Sequence, residues 1–158
     1  MKIVVACDHR GFEAKRRLLP LLKKGGHAVT DIGCESTSAV DYPDYAIPAA
    51  RAVARGEFDT GILLDGTGLG MSICANKVDG IRAALAHDEV TARIARERNH
   101  ANVLCLGTDL LSEDMVKKIV EIFLSTEFQG GRHAERVAKI QALLRSTEAP
   151  GAGNQARK

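Results

Sequence analysis

Residues 58–77, FDTGILLDGTGLGMSICANK, contain the pattern that decides the fold. Residues 61–64 form a short apolar run within a predicted buried strand at 58–64, and the run ends at Asp65. Three glycines at alternate positions then lead into a stretch that predicts the first turn of a helix. A strand, a glycine-rich turn and a helix in this order are typical of one βα unit in a parallel sheet.

The glycine turn at residues 66–70 has two possible roles. Alternating glycines let backbone N–H groups face a bound anion, and the start of the next helix adds the positive end of its dipole. Asp65 stands directly before these donors, and a base beside an anion site is what proton abstraction next to a carbonyl requires. The alternative is a tight strand-to-helix turn that Asp65 caps. The spacing alone leaves both interpretations open.

Composition predicts a single globular domain. The chain has 158 residues, of which 45% are hydrophobic and 27% charged, as is ordinary for one domain with one core. The net charge is +2, and the basic residues are scattered among few aromatics, which argues against nucleic acid as a partner. No apolar run is long enough for a membrane span, and Met1 leads directly into a strand. We therefore expect a cytoplasmic protein with no membrane or nucleic-acid partner.

The four cysteines predict neither a metal site nor a disulfide framework. Cys7, Cys34, Cys74 and Cys105 stand far apart, and no CxxC pair is present. Each is expected to be a small, partly buried thiol. Cys7 is a candidate exception, a reactive thiol, because it directly precedes the predicted site residues Asp8 and His9.

Five apolar strands alternate with helices over residues 1–145. The predicted strands are residues 2–7, 27–32, 58–64, 80–86 and 103–107. The predicted helices are residues 12–24, with an irregularity at Pro20, residues 46–54, a stretch ending near 77, residues 88–98, a stretch after Ser112 and residues 131–145. This alternation predicts a Rossmann-like, three-layer α/β/α sandwich on a five-stranded parallel sheet. The tail, residues 146–158, lacks apolar periodicity and is predicted to be disordered.

Polar residues follow several of the predicted strands. Ligands of such sheets bind beyond the carboxyl ends of the strands, where these polar residues gather. They are Asp8-His9, residues 65–70, His87-Asp88 and Thr108-Asp109. The glycine turn lacks the Lys-Ser/Thr ending of a P-loop, and its GxGxG spacing is a poor match to a dinucleotide fingerprint. A lone phosphate or an enediolate fits it better.

Three further groups have a functional and a structural interpretation. Asp8 and His9 either cap the next helix or act at the site, where a histidine moves protons or holds phosphate. Arg132 and Arg136 share one helix face and suit a phosphate, but the same spacing also occurs on ordinary charged surfaces. The Asn99-His100 pair ends a helix, where these residue types are common.

Taken together, the motifs resemble the ribose-5-phosphate isomerase B and galactose-6-phosphate isomerase family over about residues 1–145. The matching segments are CDHRGF at 7–12, DYP at 41–43, GTGLG at 66–70, ANK at 75–77, GIR at 80–82, Asn99, NVL at 102–104, GGRH at 130–133 and Arg136-Val137. The resemblance implies the strand order 2-1-3-5-4 and a homodimer, sometimes a tetramer. It also implies a site built from both subunits with no metal or cofactor.

The resemblance implies aldose–ketose isomerisation of a sugar phosphate by proton transfer through a cis-enediolate. Together with the motifs it predicts two sets of residues. The substrate- and phosphate-binding set is Asp8, His9, Gly66, Thr67, Gly68, Leu69, Gly70, Asn99, Arg132 and Arg136. The catalytic set is Asp65, Thr67, His9 and His100. The glycine turn would form an anion hole with help from the Thr67 hydroxyl, and the two arginines would hold the phosphate.

This sequence departs from the family pattern in three respects. Asp65 stands where many members have a cysteine base, and Met71 stands where some relatives have a glutamate base. Arg98 replaces the histidine that opens the sugar ring, and His100 follows two residues later. Asp109 replaces an arginine that aids phosphate binding. The departures therefore concern the base, ring opening and phosphate binding.

We interpret Asp65 as the base, because it is the only carboxylate in the turn and is ionised at neutral pH. Arginine keeps its proton and is a poor acid or base. Either His9 or His100 then opens the ring, or the substrate is a four-carbon sugar phosphate that needs no ring opening. A further hypothesis is that Arg98 and Asp109 form a swapped ion pair.

The predicted reaction is the interconversion of ribose 5-phosphate and ribulose 5-phosphate. Two alternatives stay open. The substitutions at positions 65, 98 and 109 suggest a paralogue that acts on a different sugar or sugar phosphate. The loss of the cysteine and the histidine suggests a non-catalytic sugar-phosphate-binding protein on the same scaffold. The intact glycine turn favours an enzyme over the second alternative.

Overall fold

The computed structural model describes residues 1–145, which contain five strands and six helices. The strands are β1 (Lys2–Cys7), β2 (Ala28–Asp31), β3 (Thr60–Asp65), β4 (Ala83–Leu85) and β5 (Val103–Gly107). The helices are α1 (Phe12–Lys24), α2 (Pro43–Ala54), α3 (Leu69–Ala75), α4 (Glu89–Glu97), α5 (Glu113–Ser125) and α6 (Arg132–Arg145). The tail predicted to be disordered, residues 146–158, lies outside the described residues.

The strands form one parallel sheet in the order β2-β1-β3-β5-β4, which confirms the predicted order and fold class. The central strand β3 pairs with β1 on one side and with β5 on the other. All six residues of β3 are buried, because helices cover both faces of a parallel sheet. The apolar residues of β3 are therefore the middle of the core.

Side chains alternate along β3 between two apolar clusters. Ile62 and Leu64 pack on the face that also contains Leu18 of α1 and Phe123 of α5. Leu63 packs on the opposite face, where small residues such as Ala50 let α2 approach the sheet closely. The two clusters make the rigid body on which the loops at the strand ends are mounted.

Prolines lie at the start of α2 and in the interior of both α1 and α2. α2 begins at Pro43, three residues before the predicted start, because the fixed φ of proline suits a first helical turn and the missing N–H needs no partner there. α1 continues through Pro20 to Lys24, so the predicted irregularity does not end the helix.

The fourth strand is shorter than predicted, because a side chain fixes the segment before it as a turn. Asn102 Oδ1 accepts a hydrogen bond from Arg82 N at 2.8 Å. Asn102 Nδ2 donates to Gly80 O at 2.9 Å. This amide pins both ends of the predicted first half of the strand, and β4 begins only at Ala83.

The outer side of β4 is bonded by a second amide. Ala83 N donates to Asn76 Oδ1 at 2.9 Å, and Asn76 Nδ2 donates to Ala83 O at 2.9 Å. The side chain of Asn76 therefore takes the place of a neighbouring strand at this residue.

The cysteines of the described residues are free thiols, as predicted, and three of them are buried: Cys7, Cys34 and Cys105. Cys7 Sγ lies 3.7 Å from Cys34 Sγ. Burial raises the pKa of the Cys7 thiol well above its ordinary value, so Cys7 is a packing residue rather than a reactive thiolate. No helix within residues 1–145 is long and apolar enough to cross a membrane.

Candidate active site

The glycine turn closes around the carboxylate of Asp65, the last residue of β3. Asp65 is only 4% exposed. Its Oδ1 accepts hydrogen bonds from the backbone N–H of Thr67, at 3.1 Å, and of Gly68. Its Oδ2 accepts from Met71 N at 3.3 Å. Gly68 has φ +78°, a left-handed conformation that favours glycine and that turns the chain back onto the carboxylate.

Asp65 therefore occupies the donors that the sequence analysis assigned to an enediolate. This geometry is compatible with a capped strand-to-helix turn and also with a catalytic site. The carboxylate of Asp65 caps α3, and it also lies at the carboxyl end of the sheet. Burial raises the pKa of Asp65 and the nearby Asp8 raises it further, while the hydrogen bonds from Gly68, Met71 and Thr67 oppose the rise. The effect of burial is larger than that of the hydrogen bonds, so the pKa of Asp65 is raised and its carboxylate is a stronger base than that of an exposed aspartate.

Asp8 and His9 lie beside the turn because β1 is the neighbour of β3. Asp8 is buried, and its Oδ1 accepts from Arg10 N at 2.8 Å and from Gly11 N at 3.1 Å. Asp8 thus shapes the start of α1. His9 Nδ1 accepts from Val40 N at 3.3 Å, which assigns the proton of the neutral ring to Nε2.

Tyr42 forms a wall of the same region. A Cβ placed on Gly70 would lie 2.8 Å from the Tyr42 ring, so the ring rests directly against the backbone of the turn. Tyr42 belongs to the DYP motif and is 39% exposed. A flat aromatic surface next to the turn narrows the space in which a substrate can lie.

Arg10 and Thr108, for which the sequence motifs predict no role, complete this end of the sheet. Thr108 N donates to Asp65 O at 2.8 Å, and the Thr108 hydroxyl lies 3.0 Å from Asp65 O and 3.1 Å from Arg10 O. Arg10 Nε and Nη2 donate to Asp109 Oδ2 at 2.9 and 2.6 Å. Asp109 therefore pairs with Arg10 in this protomer, and not with Arg98 as hypothesised.

One signal for the Arg10–Asp109 pair is present in the sequence. The two residues stand three and two positions after β1 and β5, and both of these strands pair with β3. Opposite charges that follow two strands flanking the same central strand are candidates for contact at its end.

The remaining predicted residues cluster at the opposite, amino end of the sheet. Arg98 is the C-cap of α4, and α6 begins at Arg132. Burial lowers the pKa of His133, the charges of Arg132, Arg136 and Arg98 lower it further and Glu97 opposes them, so these charges lie within electrostatic reach of His133. We call Arg98, Arg132 and Arg136 the arginine cluster. Three guanidinium groups near one point suit an anion.

His100 and Asn99 lie at this amino end as well. The His100 ring stacks on Phe128 with centroids 4.4 Å apart, and its backbone has φ +49°. Burial lowers the pKa of His100, and the charges of Arg82 and Arg96 lower it further, which favours the neutral ring. Asn99 borders a groove between β4, α4 and α6.

The two groups of predicted residues do not meet within one protomer. Gly61 pairs with Val103 at the amino end, and Asp65 pairs with Gly107 at the carboxyl end. Four residues of strand span about 13 Å, and Arg98 lies before β5 begins. The glycine turn and the arginine cluster therefore belong to opposite ends of the sheet.

A buried carboxylate in a glycine turn, at the carboxyl end of a parallel sheet and beside a histidine, defines the class: an α/β protein with a site for a small molecule. The family model described as Ribose/Galactose Isomerase matches residues 3–140. The chain is 43% identical over 142 residues to ribose-5-phosphate isomerase B of Escherichia coli, covering 90% of this chain and 95% of that protein. The chain belongs to the Ribose/Galactose Isomerase family and is an isomerase.

Solved structures agree with the family assignment. The structure of Clostridium thermocellum ribose-5-phosphate isomerase B superposes with a TM-score of 0.92 at 47% identity, covering 94% of this chain and 100% of that one. Ribose-5-phosphate isomerase B of Mycoplasma genitalium, solved with bound ribulose-5-phosphate, gives a TM-score of 0.88 at 40% identity and covers 91% and 96% of the two chains. The binding-only alternative is not favoured by these similarities.

Proposed function

We propose that this isomerase interconverts ribose 5-phosphate and ribulose 5-phosphate through an enediolate, as a cytoplasmic homodimer that needs no metal or cofactor. The observation that carries the proposal is the buried Asp65 carboxylate, which provides a base at the carboxyl end of the sheet. The Mycoplasma genitalium relative with bound ribulose-5-phosphate supports this choice of substrate pair.

Asp65 is the group that takes the proton from C2. Its Oδ2 accepts a single long hydrogen bond, from Met71, and keeps a lone pair for the proton. The raised pKa of Asp65 brings its basicity closer to neutral pH, where proton abstraction is most efficient. The hydroxyl proton of the cis-enediolate passes from O2 to O1, and the carboxyl group returns its proton to C1, which converts the aldose into the ketose.

The glycine turn stabilises two anions in succession. In the resting state the N–H groups of Thr67, Gly68 and Met71 bind the Asp65 carboxylate. When Asp65 takes the proton, the negative charge passes to the substrate oxygens, and the carboxyl group becomes a weaker acceptor. The same N–H groups are then available to the enediolate, with the Thr67 hydroxyl as an additional donor.

His9 is the group we favour for opening the sugar ring. Its Nδ1 is held by Val40 N, so Nε2 is the nitrogen that exchanges a proton with the substrate. His100 lies at the amino end of the sheet with its ring stacked on Phe128. It reaches a substrate at the glycine turn only from a second copy of the chain.

The homodimer follows from the separation of the two groups of site residues. A substrate whose C2 lies at Asp65 reaches the arginine cluster only if that cluster comes from another protomer, together with Asn99 and His100. α6 is suited to such an interface. His133 and Val137 of its first half are buried, whereas Ile140 further along is 48% exposed. An amphipathic helix with an exposed apolar residue is a reasonable contact for a second copy.

Proton NMR in deuterium oxide tests the proposal. Purified protein is incubated with ribose 5-phosphate, and both ketose formation and deuterium exchange at C2 are followed. We expect both with wild-type protein and neither with Asp65→Asn. Absence of both with a folded wild-type dimer, and with every other sugar phosphate tested, would refute isomerase activity for this chain.

A four-carbon sugar phosphate is the second candidate substrate. The observation that favours it is Arg98, which cannot act as the ring-opening acid or base. In erythrose 4-phosphate the oxygen that would close a five-membered ring carries the phosphate, so the sugar stays in its open form. A higher kcat/KM for erythrose 4-phosphate than for ribose 5-phosphate would make it the preferred substrate.

A further inference from the structure

We propose that the Arg10–Asp109 ion pair is a substrate-binding element at the carboxyl end of the sheet: Asp109 holds the Arg10 guanidinium at the mouth of the glycine turn, where Arg10 binds the substrate's phosphate. This inference rests on the proposed function, and it adds to the arginine cluster a phosphate contact from the protomer that supplies Asp65. Asp109 acts through Arg10 and is a positioning residue.

The ion pair lies directly against the glycine turn. A Cβ built on Gly66 would lie 2.6 Å from Asp109 Oδ2 and 3.6 Å from Arg10 Cγ, so both side chains pass over the residue that follows Asp65. A side chain at position 66 would displace the carboxylate that holds Arg10. Glycine at this position therefore makes room for the pair as well as for the turn.

Backbone hydrogen bonds fix the segments that carry the pair. Asp109 N donates to Gly66 O at 3.0 Å, and Thr108 N donates to Asp65 O at 2.8 Å. The Thr108 hydroxyl lies within hydrogen-bond distance of Arg10 O. The loops after β1, β3 and β5 are thus joined at one point, and a guanidinium held there keeps a fixed distance from the base.

The guanidinium has donors left for a ligand. Arg10 uses Nε and Nη2 on the single oxygen Asp109 Oδ2. Within residues 1–145 its Nη1 has no hydrogen-bond partner, and the Arg10 side chain is 57% exposed. The guanidinium is held by Asp109 at Nε and Nη2, and Nη1 faces away from this bond with its donors available. Such an arrangement is preorganised to bind an oxyanion.

The distribution of charge indicates which part of the substrate Arg10 contacts. Asp65 is buried, so the reacting carbon lies inward, and the phosphate extends towards the exposed rim where Arg10 lies. The carboxylate of Asp109 lies at this rim, and the carboxylate of Asp8 is buried beside the turn. A phosphate dianion entering beside three carboxylates requires a cation, and among the described residues 8–10, 65–70 and 108–109 only Arg10 carries a permanent positive charge.

The test is a double-mutant cycle on steady-state kinetics, with Arg10→Ala, Asp109→Ala and the double variant. Arg10→Ala removes the cation and leaves Asp109 unpaired against the phosphate. We expect KM to rise about 10- to 100-fold with a smaller change in kcat, and the inhibition constant of inorganic phosphate to rise in parallel. Adding Asp109→Ala to this background should recover part of the loss, whereas Asp109→Ala alone should weaken binding.

Arg10→Lys should recover part of the affinity, because it restores the charge without the fork of donors. Arg55→Ala is the matched control: Arg55 Nε bonds Glu57 Oε1 at 2.6 Å in an equally exposed pair. It should change neither KM nor phosphate inhibition.

A purely structural role for the pair would lower the melting temperature of Arg10→Ala and leave KM and phosphate inhibition within twofold of wild type, and this result would overturn the proposal. If wild-type protein turns over no sugar phosphate, the proposed function fails on its own. The Arg10 contact is then judged by inorganic phosphate binding to wild type and Arg10→Ala, where equal affinities refute it.

Discussion

The two ends of the sheet differ in charge and in burial. At the carboxyl end, the carboxylates of Asp8 and Asp65 are buried and held by backbone N–H groups. At the amino end, the arginine cluster is cationic and lies at the end of α4 and on α6. A general base benefits from a buried, fixed environment, whereas phosphate binding needs charged side chains that are exposed to the ligand. Under the proposed function, each end supplies one half of a site and two copies of the chain complete it.

Asp65→Asn removes the base at the carboxyl end and should have the largest effect. We expect kcat for ribose 5-phosphate to fall by about 10²- to 10⁴-fold, the range typical of a positioned general base. The measurement is turnover together with C2 deuterium exchange, and exchange should fall by the same factor as turnover.

Asparagine cannot accept hydrogen bonds on both terminal atoms, so this variant also weakens the cap of the glycine turn. Thermal unfolding is the control, because a folded variant separates chemistry from loss of structure. Turnover close to wild type would exclude Asp65 as the base and remove the functional contrast between the two ends.

Mixed dimers test whether the two ends belong to one site. Arg132→Ala should lower kcat/KM by about 10- to 100-fold through loss of a charge-assisted contact to the phosphate. Combining it with Arg136→Ala should deepen the loss. When this double variant is denatured and refolded with Asp65→Asn, random pairing should restore about a quarter of the wild-type specific activity, because half of the dimers have one intact site.

Each variant refolded alone is the control for the mixing experiment and should stay inactive. Recovery requires that Asp65 and the arginine cluster come from different protomers. A folded, mixed population with no recovered activity would show that each protomer uses its own residues, contrary to the separation of the two ends.

His9→Asn sharpens the comparison by separating ring opening from proton transfer. We expect kcat/KM for ribose 5-phosphate to fall by roughly 10-fold or more, as for loss of an acid–base group. The loss should be smaller for erythrose 4-phosphate, which needs no ring opening. His100→Asn is the matched variant at the amino end, since asparagine tolerates the positive φ there. Equal losses on both substrates for His9→Asn would assign His9 to binding.

The pH dependence should report the burial of Asp65 and is the smallest of these effects. Because burial raises its pKa above the ordinary 3.8, kcat/KM should fall as the pH drops through this raised pKa. The sign for stability is opposite, since the folded state favours the protonated form. The contribution of Asp65 to stability is greatest below pH 3.8 and is lost as the pH rises through the folded-state pKa. An acid limb at or below 3.8 would contradict the raised pKa.

The sheet was predictable because its information is local. The apolar run before Asp65, the glycines after it and the alternation of strands and helices each lie in a short stretch of sequence. The strand order came from the resemblance to a family, and the structure confirms it. The roles of the site residues stay predictions, although the structure places Asp8 and His9 beside the glycine turn and Arg132 near Arg98.

Contacts between distant residues were the part that sequence reasoning missed. Arg10 and Asp109 are 99 positions apart, and only the strand order, which places β1 and β5 on either side of β3, brings them to the same end of the sheet. The shortening of β4 was missed for a similar reason. The amide of Asn102 fixes a turn at Arg82, 20 residues earlier. The sequence of residues 80–82 is nevertheless compatible with a strand. Side chains that replace backbone partners leave no periodic signal.

The amide of Asn76 has a consequence for how copies of this chain can associate. The outer strand of an open sheet is a template for another strand, and the same property makes it prone to aggregation. At Ala83 the backbone N–H and C=O on the open side of β4 are already bonded to Asn76, so they are not available to pair with another strand. Extension of the sheet from one copy to the next is disfavoured on this side. In the proposed homodimer, association on this side falls to helix surfaces, where side-chain complementarity limits growth to a closed number of copies.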